Sequence, residues 1–236
     1  MTASRSYSNL LADADDRVIA ALERLTDESL PPKVYGETMA LIGEALGKRF
    51  AERCDVACRN VYLAVTVEDA DFLAAGIARA LESAGATISV ACYWNVRQKR
   101  GGIKWLDVAT IADEYAEPLP ERLDHLIVVK SIISGACVVK TNLAHLLDRA
   151  DPERIHVMAP VVLAGAQERL AAEFEPALAT RFEYWLFATD TEKDDSGNVR
   201  PGIGGEIYSR LGFGGQQGKN AHLPHFVMAR SGMLPV

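Results

Sequence analysis

Positive charge is in short supply in this chain of 236 residues: 25 lysines and arginines face 32 aspartates and glutamates, a formal net charge of −7. An acidic chain is repelled by phosphate-covered surfaces, which argues against general nucleic-acid binding and against attachment to anionic membranes. A local basic loop can still hold an anion. Long apolar runs are also missing, since none approaches the roughly 20 residues that cross a bilayer. The opening MTASRSYSNLLADADD lacks the basic-then-apolar layout of a signal peptide, so a cytoplasmic location is expected. The four cysteines are scattered. Cys54 and Cys58 stand one helical turn apart with no second pair to complete a zinc site, and Cys92 reads as a small core residue. His222 and His225, spaced H-L-P-H, have a proline between them and no further ligands close in sequence, so no metal is assigned to them.

What the chain does have is 49% hydrophobic content over a length suited to one sizeable core. Residues 1–16 are expected to form a flexible N-terminal segment and 17–236 a single domain. Arg17 to Leu25 and Val34 to Cys54 carry apolar residues at helical spacing, the second with Met39, Leu41, Ile42, Ala45, Leu46 and Phe50 on one side. Val61 to Val67 is a β-branched run of the kind buried in parallel sheets. Glu68 and Asp69 follow it, then a predicted helix over Phe72 to Ala84. Further strands are predicted at Thr87–Trp94, Asp124–Ile133, Arg154–Ala164 and Phe182–Ala188, with helices at Val138–Ala150 and Gln167–Phe174. The basic, glycine-bearing stretch Asn95–Lys104 reads as a mobile loop.

Alternating strands and helices of these lengths imply an α/β fold with a parallel sheet flanked by helices. Ligands of such sheets bind beyond the carboxyl ends of the strands, so the loops after Val67, Ile133 and Ala188 should share a crevice. Ser134-Gly135-Ala136-Cys137, between a strand and a helix, has the layout that turns backbone N–H groups toward an anion.

From about Leu22 to Gly214, the order and spacing of these segments resemble uracil phosphoribosyltransferases, members of the type I phosphoribosyltransferase fold. VYLAVTVEDADFLAAGI stands where that family has Pro-Ile-Leu-Arg-Ala-Gly-Leu-Gly, and LIVVKSIISGACVV where it has its phosphoribosyl-pyrophosphate motif. Asn198-Val199-Arg200-Pro201-Gly202-Ile203-Gly204-Gly205 matches the family's C-terminal base-binding hood, Tyr-Ile-Val-Pro-Gly-Leu-Gly-Asp. The resemblance implies a transferase of nucleotide metabolism, a homodimer or higher homo-oligomer, a small-molecule substrate that is nucleobase-like or a ribosyl phosphate, and Mg²⁺ if a phosphoribosyl-pyrophosphate donor is used. No nucleic-acid or membrane partner is implied.

The motifs depart from the family in their charges. Glu68 and Asp69 occupy the turn where the family holds pyrophosphate with an arginine, and each unit charge pair at 4 Å is worth about 4 kcal/mol at an effective dielectric of 20. Alternatively, one of them caps the next helix. Lys130 and Ser131 stand where the family places ribose-binding carboxylates. An ammonium has no acceptor to offer ribose hydroxyls. Lys130 therefore either clamps a different anion or pairs with Glu68 or Asp69.

The remaining candidates follow from the same alignment. Ser131, Ser134, Gly135, Ala136 and Cys137 are candidate phosphate-binding residues, and Cys137 is either reactive near a helix start or a buried inert thiol. Pro201, Gly202, Ile203, Gly204, Tyr208 and Arg210 are candidates for the base pocket. Arg97, Lys99, Arg100 and Lys104 occupy the family's lid position, where they either supply cations to the site or are simply solvated. Lys130, Glu68 and Asp69 are the candidate catalytic residues. The leading expectation is an enzyme that binds an anionic small molecule with a planar heterocycle and runs a non-standard reaction. The alternatives are a catalytically silent regulator or scaffold and an active phosphoribosyltransferase.

Overall fold

The computed structural model describes residues 4–11, 16–99 and 107–233. In chain order its elements begin with β1 (Arg5–Tyr7), α1 (Asp16–Leu25), α2 (Pro32–Arg53), β2 (Asn60–Thr66), α3 (Val67–Asp69), a π-helical turn (Ala70–Ala74) and α4 (Ala75–Ser83). They continue through β3 (Thr87–Lys99), β4 (Asp107–Ala116), β5 (His125–Val129), β6 (Ile132–Ile133), α5 (Cys137–Leu147), β7 (Ile155–Leu163), α6 (Ala166–Ala171) and α7 (Pro176–Ala179). The C-terminal part holds β8 (Phe182–Asp190), β9 (Glu192–Lys193), β10 (Val199–Arg200), α8 (Ile207–Arg210), α9 (Gln216–Ala221) and α10 (His225–Arg230).

The β-branched runs are buried on both faces because helices cover both. On β2, Val61, Leu63 and Val65 pack with residues of α1, α2 and α4, whereas Tyr62 and Ala64 pack on the opposite side with residues of α5 and α6. The sheet order is β1-β8-β7-β5-β2-β3-β4; β8, β7, β5, β2 and β3 are parallel, and β1 and β4 close the two edges antiparallel. This is the α/β architecture expected from the sequence. From β2 the chain moves to β3 on one side and later to β5 on the other. The carboxyl ends of β2 and β5 thus flank a topological switch point, where doubly wound sheets open a crevice.

Several boundaries differ from the sequence reading. Arg5–Tyr7 is not a flexible segment: it pairs with Asp190–Ala188 of β8. Leu41, assigned to the buried side of α2, is 43% exposed. The helix after β2 starts at Val67, five residues before Phe72, so Glu68 and Asp69 lie inside its first turn. The strand over Asp124–Ile133 breaks at Lys130-Ser131, between β5 and β6. Asn95 to Lys99 is not loop. Antiparallel pairing with β4 extends β3 through this polar stretch, past a register shift at Trp94/Asn95, and hydrophobic spacing gives no sign of such a ladder.

Candidate functional site

β2 ends at Thr66 and β5 at Val129, side by side, and the residues that follow each strand meet at the switch point. Lys130 Nζ donates to Asp69 Oδ2 at 2.5 Å, to Glu68 Oε1 at 2.9 Å and to Thr66 Oγ1 at 3.2 Å. Thr66 Oγ1 donates to Asp69 Oδ2 at 2.7 Å, and the Ser131 N–H donates to Asp69 Oδ1 at 3.1 Å. All of these side chains are buried. The two carboxylates therefore bind the lysine, and the helix starts at Val67, ahead of both, so neither stands at its N-cap position.

Burial pushes the Glu68 carboxyl up, but the ammoniums of Lys130 and Lys219 outweigh it and hold it at about 2. Burial likewise works against the Lys130 ammonium, and Asp69 and Glu68 together carry it above its ordinary value. At neutral pH Glu68 is ionised and Lys130 is charged. Glu68 and Lys130 are thus moved away from neutrality, whereas burial raises the Asp69 carboxyl above its ordinary value against the pull of Lys130.

A cleft of about 490 Å³ opens beside this ion cluster. Glu68, Lys130, Ser131 and Ser134 line one side, and Asn198, Ile203, Glu206 and Tyr208 contribute to the rest. Ser131 is fully buried and its Oγ has no partner. Gly135 is exposed, with open space where a side chain would stand, and α5 begins two residues later without a side-chain cap. Small residues ahead of an eleven-residue helix leave its first N–H groups open to an anion. Cys137 is half-buried at the first position of α5.

The base-pocket candidates fare differently. The Gly202 N–H donates to Asp190 Oδ2 at 2.8 Å, its carbonyl accepts from Arg5 at 2.6 Å, and the Ile203 carbonyl accepts from the Tyr35 hydroxyl at 3.0 Å. These backbone edges serve the fold and are not offered to a ligand. Gly204, at φ +78°, abuts the Leu25 carbonyl so closely that no Cβ fits. Arg210 is a correction as well. Its guanidinium donates to the carbonyls of Glu28 at 2.6 Å and Asp27 at 2.5 Å beyond the end of α1, and it lies 4.6 Å from the Tyr35 ring. Pro201, Gly202, Gly204 and Arg210 are not on the cleft wall, whereas Ile203 and Tyr208 are. The Tyr208 ring lies 5.5 Å from the Lys219 ammonium.

The lid expectation also changes. Arg97 and Lys99 belong to β3, opposite Ala109 and Asp107, while Arg100 and Lys104 lie outside the described residues. His222 Nε2 bonds Asp71 Oδ2 at 2.9 Å. Lys219 was missed by the sequence reading. It is fully buried behind the cluster, with Nζ donating to the Asn95 carbonyl at 2.5 Å, and its setting in GGQQGKN carries no signal for that role. Glu206 and the loop Ser196–Val199 complete the wall; the loop after Ala188 was expected there, though none of its residues was singled out.

A donor-bound Mg²⁺ needs carboxylates free to coordinate it or its waters. Here the pair beside the cleft is occupied by an ammonium, and among the described residues no three His, Cys, Asp or Glu side chains gather as ligands. The Glu68–Asp69 pair, held by Lys130, does not fit the ion.

No family model and no curated protein matches the chain. Among solved structures, the AQ2163 protein from Aquifex aeolicus is similar at a TM-score of 0.60 with 15% identity, covering 83% of this chain and 93% of that one. Hypoxanthine-guanine phosphoribosyl transferase from L. donovani is similar at 0.45 with 13% identity, over 67% of this chain and 81% of that one. APRTase from Giardia lamblia, complexed with 9-deazaadenine, follows at 0.41 with 12% identity, over 64% and 81%. At such identities the likeness concerns the fold alone. None of these names specifies uracil.

Proposed function

We propose that this protein binds a small phosphate monoester in the switch-point cleft and does not carry out standard phosphoribosyl transfer from a pyrophosphate donor. One observation carries the reading: Lys130 is bonded to Glu68 and Asp69, so the positions that the sequence resemblance assigns to the pyrophosphate and ribose contacts are engaged with one another. A second pyrophosphate charge would press against Glu68, whose carboxylate lines the cleft. Ser134 lines the cleft a few residues ahead of α5, whose first turn has no side-chain cap, a setting that suits one phosphate. A planar ring, where the ligand has one, has Ile203 and Tyr208 to rest on.

Thermal-shift measurements on the whole protein test this reading. Ribose 5-phosphate and uridine 5′-monophosphate should raise the melting temperature, and phosphoribosyl pyrophosphate with Mg²⁺ should raise it no further. Release of pyrophosphate in the presence of uracil or a purine base would sink the proposal.

A second reading keeps catalysis, with a non-standard reaction. It is favoured by Glu68, an ionised carboxylate on the cleft wall that suits a developing positive charge. A homodimer or larger homo-oligomer, implied by the sequence resemblance, belongs to both readings; light scattering in solution decides it.

A further inference from the structure

We propose that the groove between α1 and α2 is an interface that takes α2 of a second copy of this chain across a two-fold axis. It shares no lining residue with the switch-point cleft, and the inference does not depend on what that cleft binds.

α1 and α2 fold back on one another through Thr26 to Pro31 and leave a hollow of about 450 Å³ between them. Its α1 side is lined by Arg17, Ala20, Ala21 and Arg24. These positions are i, i+3, i+4 and i+7, so they share one face of the helix, with two alanines as a shallow floor between two cations. The cations stand about 10.5 Å apart along the axis.

The outer face of α2 carries the complement at the same spacing. Glu37, Leu41 and Glu44 stand at i, i+4 and i+7, and Leu41 is 43% exposed. Laid parallel to α1, α2 of a second copy brings Glu37 to Arg17, Leu41 to Ala20 and Ala21, and Glu44 to Arg24, all in one register. A helix parallel to α1 is antiparallel to α2, because the two run in opposite directions. A two-fold axis perpendicular to the pair of α2 helices produces that arrangement, so the same set of contacts forms twice and the assembly closes as a dimer.

The charges of this face permit the approach. The chain carries a net charge of −7, which makes two copies repel one another over most of their surface. Around the groove and the hollow that continues it past Leu41, four cations, Arg17, Arg24, Lys48 and Arg49, stand against three carboxylates. The carboxylates that cross to the second copy are held in the single chain by exposed lysines of their own helix, Glu44 by Lys48 at 2.6 Å and Glu37 by Lys33 at 4.0 Å. Exposed pairs of that kind are weak and yield to an arginine from which water is excluded.

Sedimentation velocity on the whole protein over a range of concentrations tests the interface. The parent should sediment as a dimer and Leu41→Arg as a monomer, with circular dichroism showing that the exposed substitution leaves the fold intact. Arg24→Glu should weaken the dimer about ten-fold, and Glu44→Arg added to it should restore most of that loss, a rescue that damage to folding would not produce. A monomeric parent overturns the inference. So does an assembly that Leu41→Arg leaves intact, or an Arg24→Glu defect that Glu44→Arg does not repair. Binding of a phosphate monoester in the cleft is read separately, by thermal shift, and stands or falls without reference to these outcomes.

Discussion

Lys130 is 6% exposed and fully charged, which is tolerable only because two carboxylates and a hydroxyl receive its protons. Removing it should cost far more than its pairing contributes in net terms. Lys130→Ala leaves Glu68 and Asp69 buried and facing one another, and chemical denaturation should show a loss of about 3–5 kcal/mol. The triple change Lys130→Met, Glu68→Gln, Asp69→Asn should recover most of it; no recovery would mean that the cluster is not a closed electrostatic unit. His156 offers a second residue-scale test. It is buried beside His125 and Phe50, with the Trp185 indole N–H donating to its Nδ1 at 3.3 Å. Burial, with smaller contributions from His125 and Arg154, pulls its value from 6.5 down to about 3. The unfolded chain thus takes up the proton first: this contribution to stability is complete above about pH 6.5 and is lost as pH falls toward 3. The slope approaches about 1.4 kcal/mol per pH unit in that window. Glu68 adds a loss of the same sign only below its ordinary value of 4.5, and Asp69, raised by burial, works in the opposite sense. Stability measured between pH 7 and pH 5 should fall in the parent and stay nearly level in His156→Gln.

At the scale of elements, the helix leaving β2 delivers Glu68 and Asp69, and α2 holds that helix in place. The contact is close because glycine permits it. A Cβ at Gly43 would lie inside the Leu73 carbonyl oxygen, and one at Gly76 would meet the Ala40 carbonyl. α2 therefore packs directly on the backbone of the π-helical turn that follows the acidic pair. Gly43→Ala should force the two helices apart and cost about 1–3 kcal/mol, read as a lower denaturation midpoint. It should also weaken ligand binding in the cleft, because the carboxylates move with their helix. Unchanged stability would show that the turn adapts freely. Sequence periodicity identified both helices but not this contact: glycine in a helix reads as a weak helix former until its neighbour is known.

At the scale of the whole molecule, the N-terminal strand is tied to β8 and to the segment around Gly202. Arg5, on the edge strand β1, donates to both oxygens of Asp190 at 2.8 and 2.9 Å and to the Gly202 carbonyl, while Asp190 also accepts the Gly202 N–H. One bidentate pair thus binds the N-terminus, the last strand of the parallel core and the C-terminal segment that roofs the cleft. Arg5→Ala leaves a fully buried carboxylate with a single donor and should cost about 3 kcal/mol. Amide exchange at Gly202 and Ile203 should quicken in the variant more than exchange in β2. Equal acceleration everywhere would mean that Arg5 supports global stability without holding the roof.

The alternation of apolar runs and helical stripes was sufficient to establish an α/β sheet with helices on both faces, and to place Glu68, Lys130 and Ser134 near one crevice, because strand and helix periods are local properties of the chain. Whether Lys130 would meet an anion from outside or the carboxylates beside it was left open, since Thr66 and Lys130 are 64 positions apart and only the pairing of β2 with β5 makes them neighbours. The same holds for Arg210, Lys219 and Arg5. Their partners are main-chain carbonyls or distant acids, brought within reach by packing and invisible in any pattern of residue types.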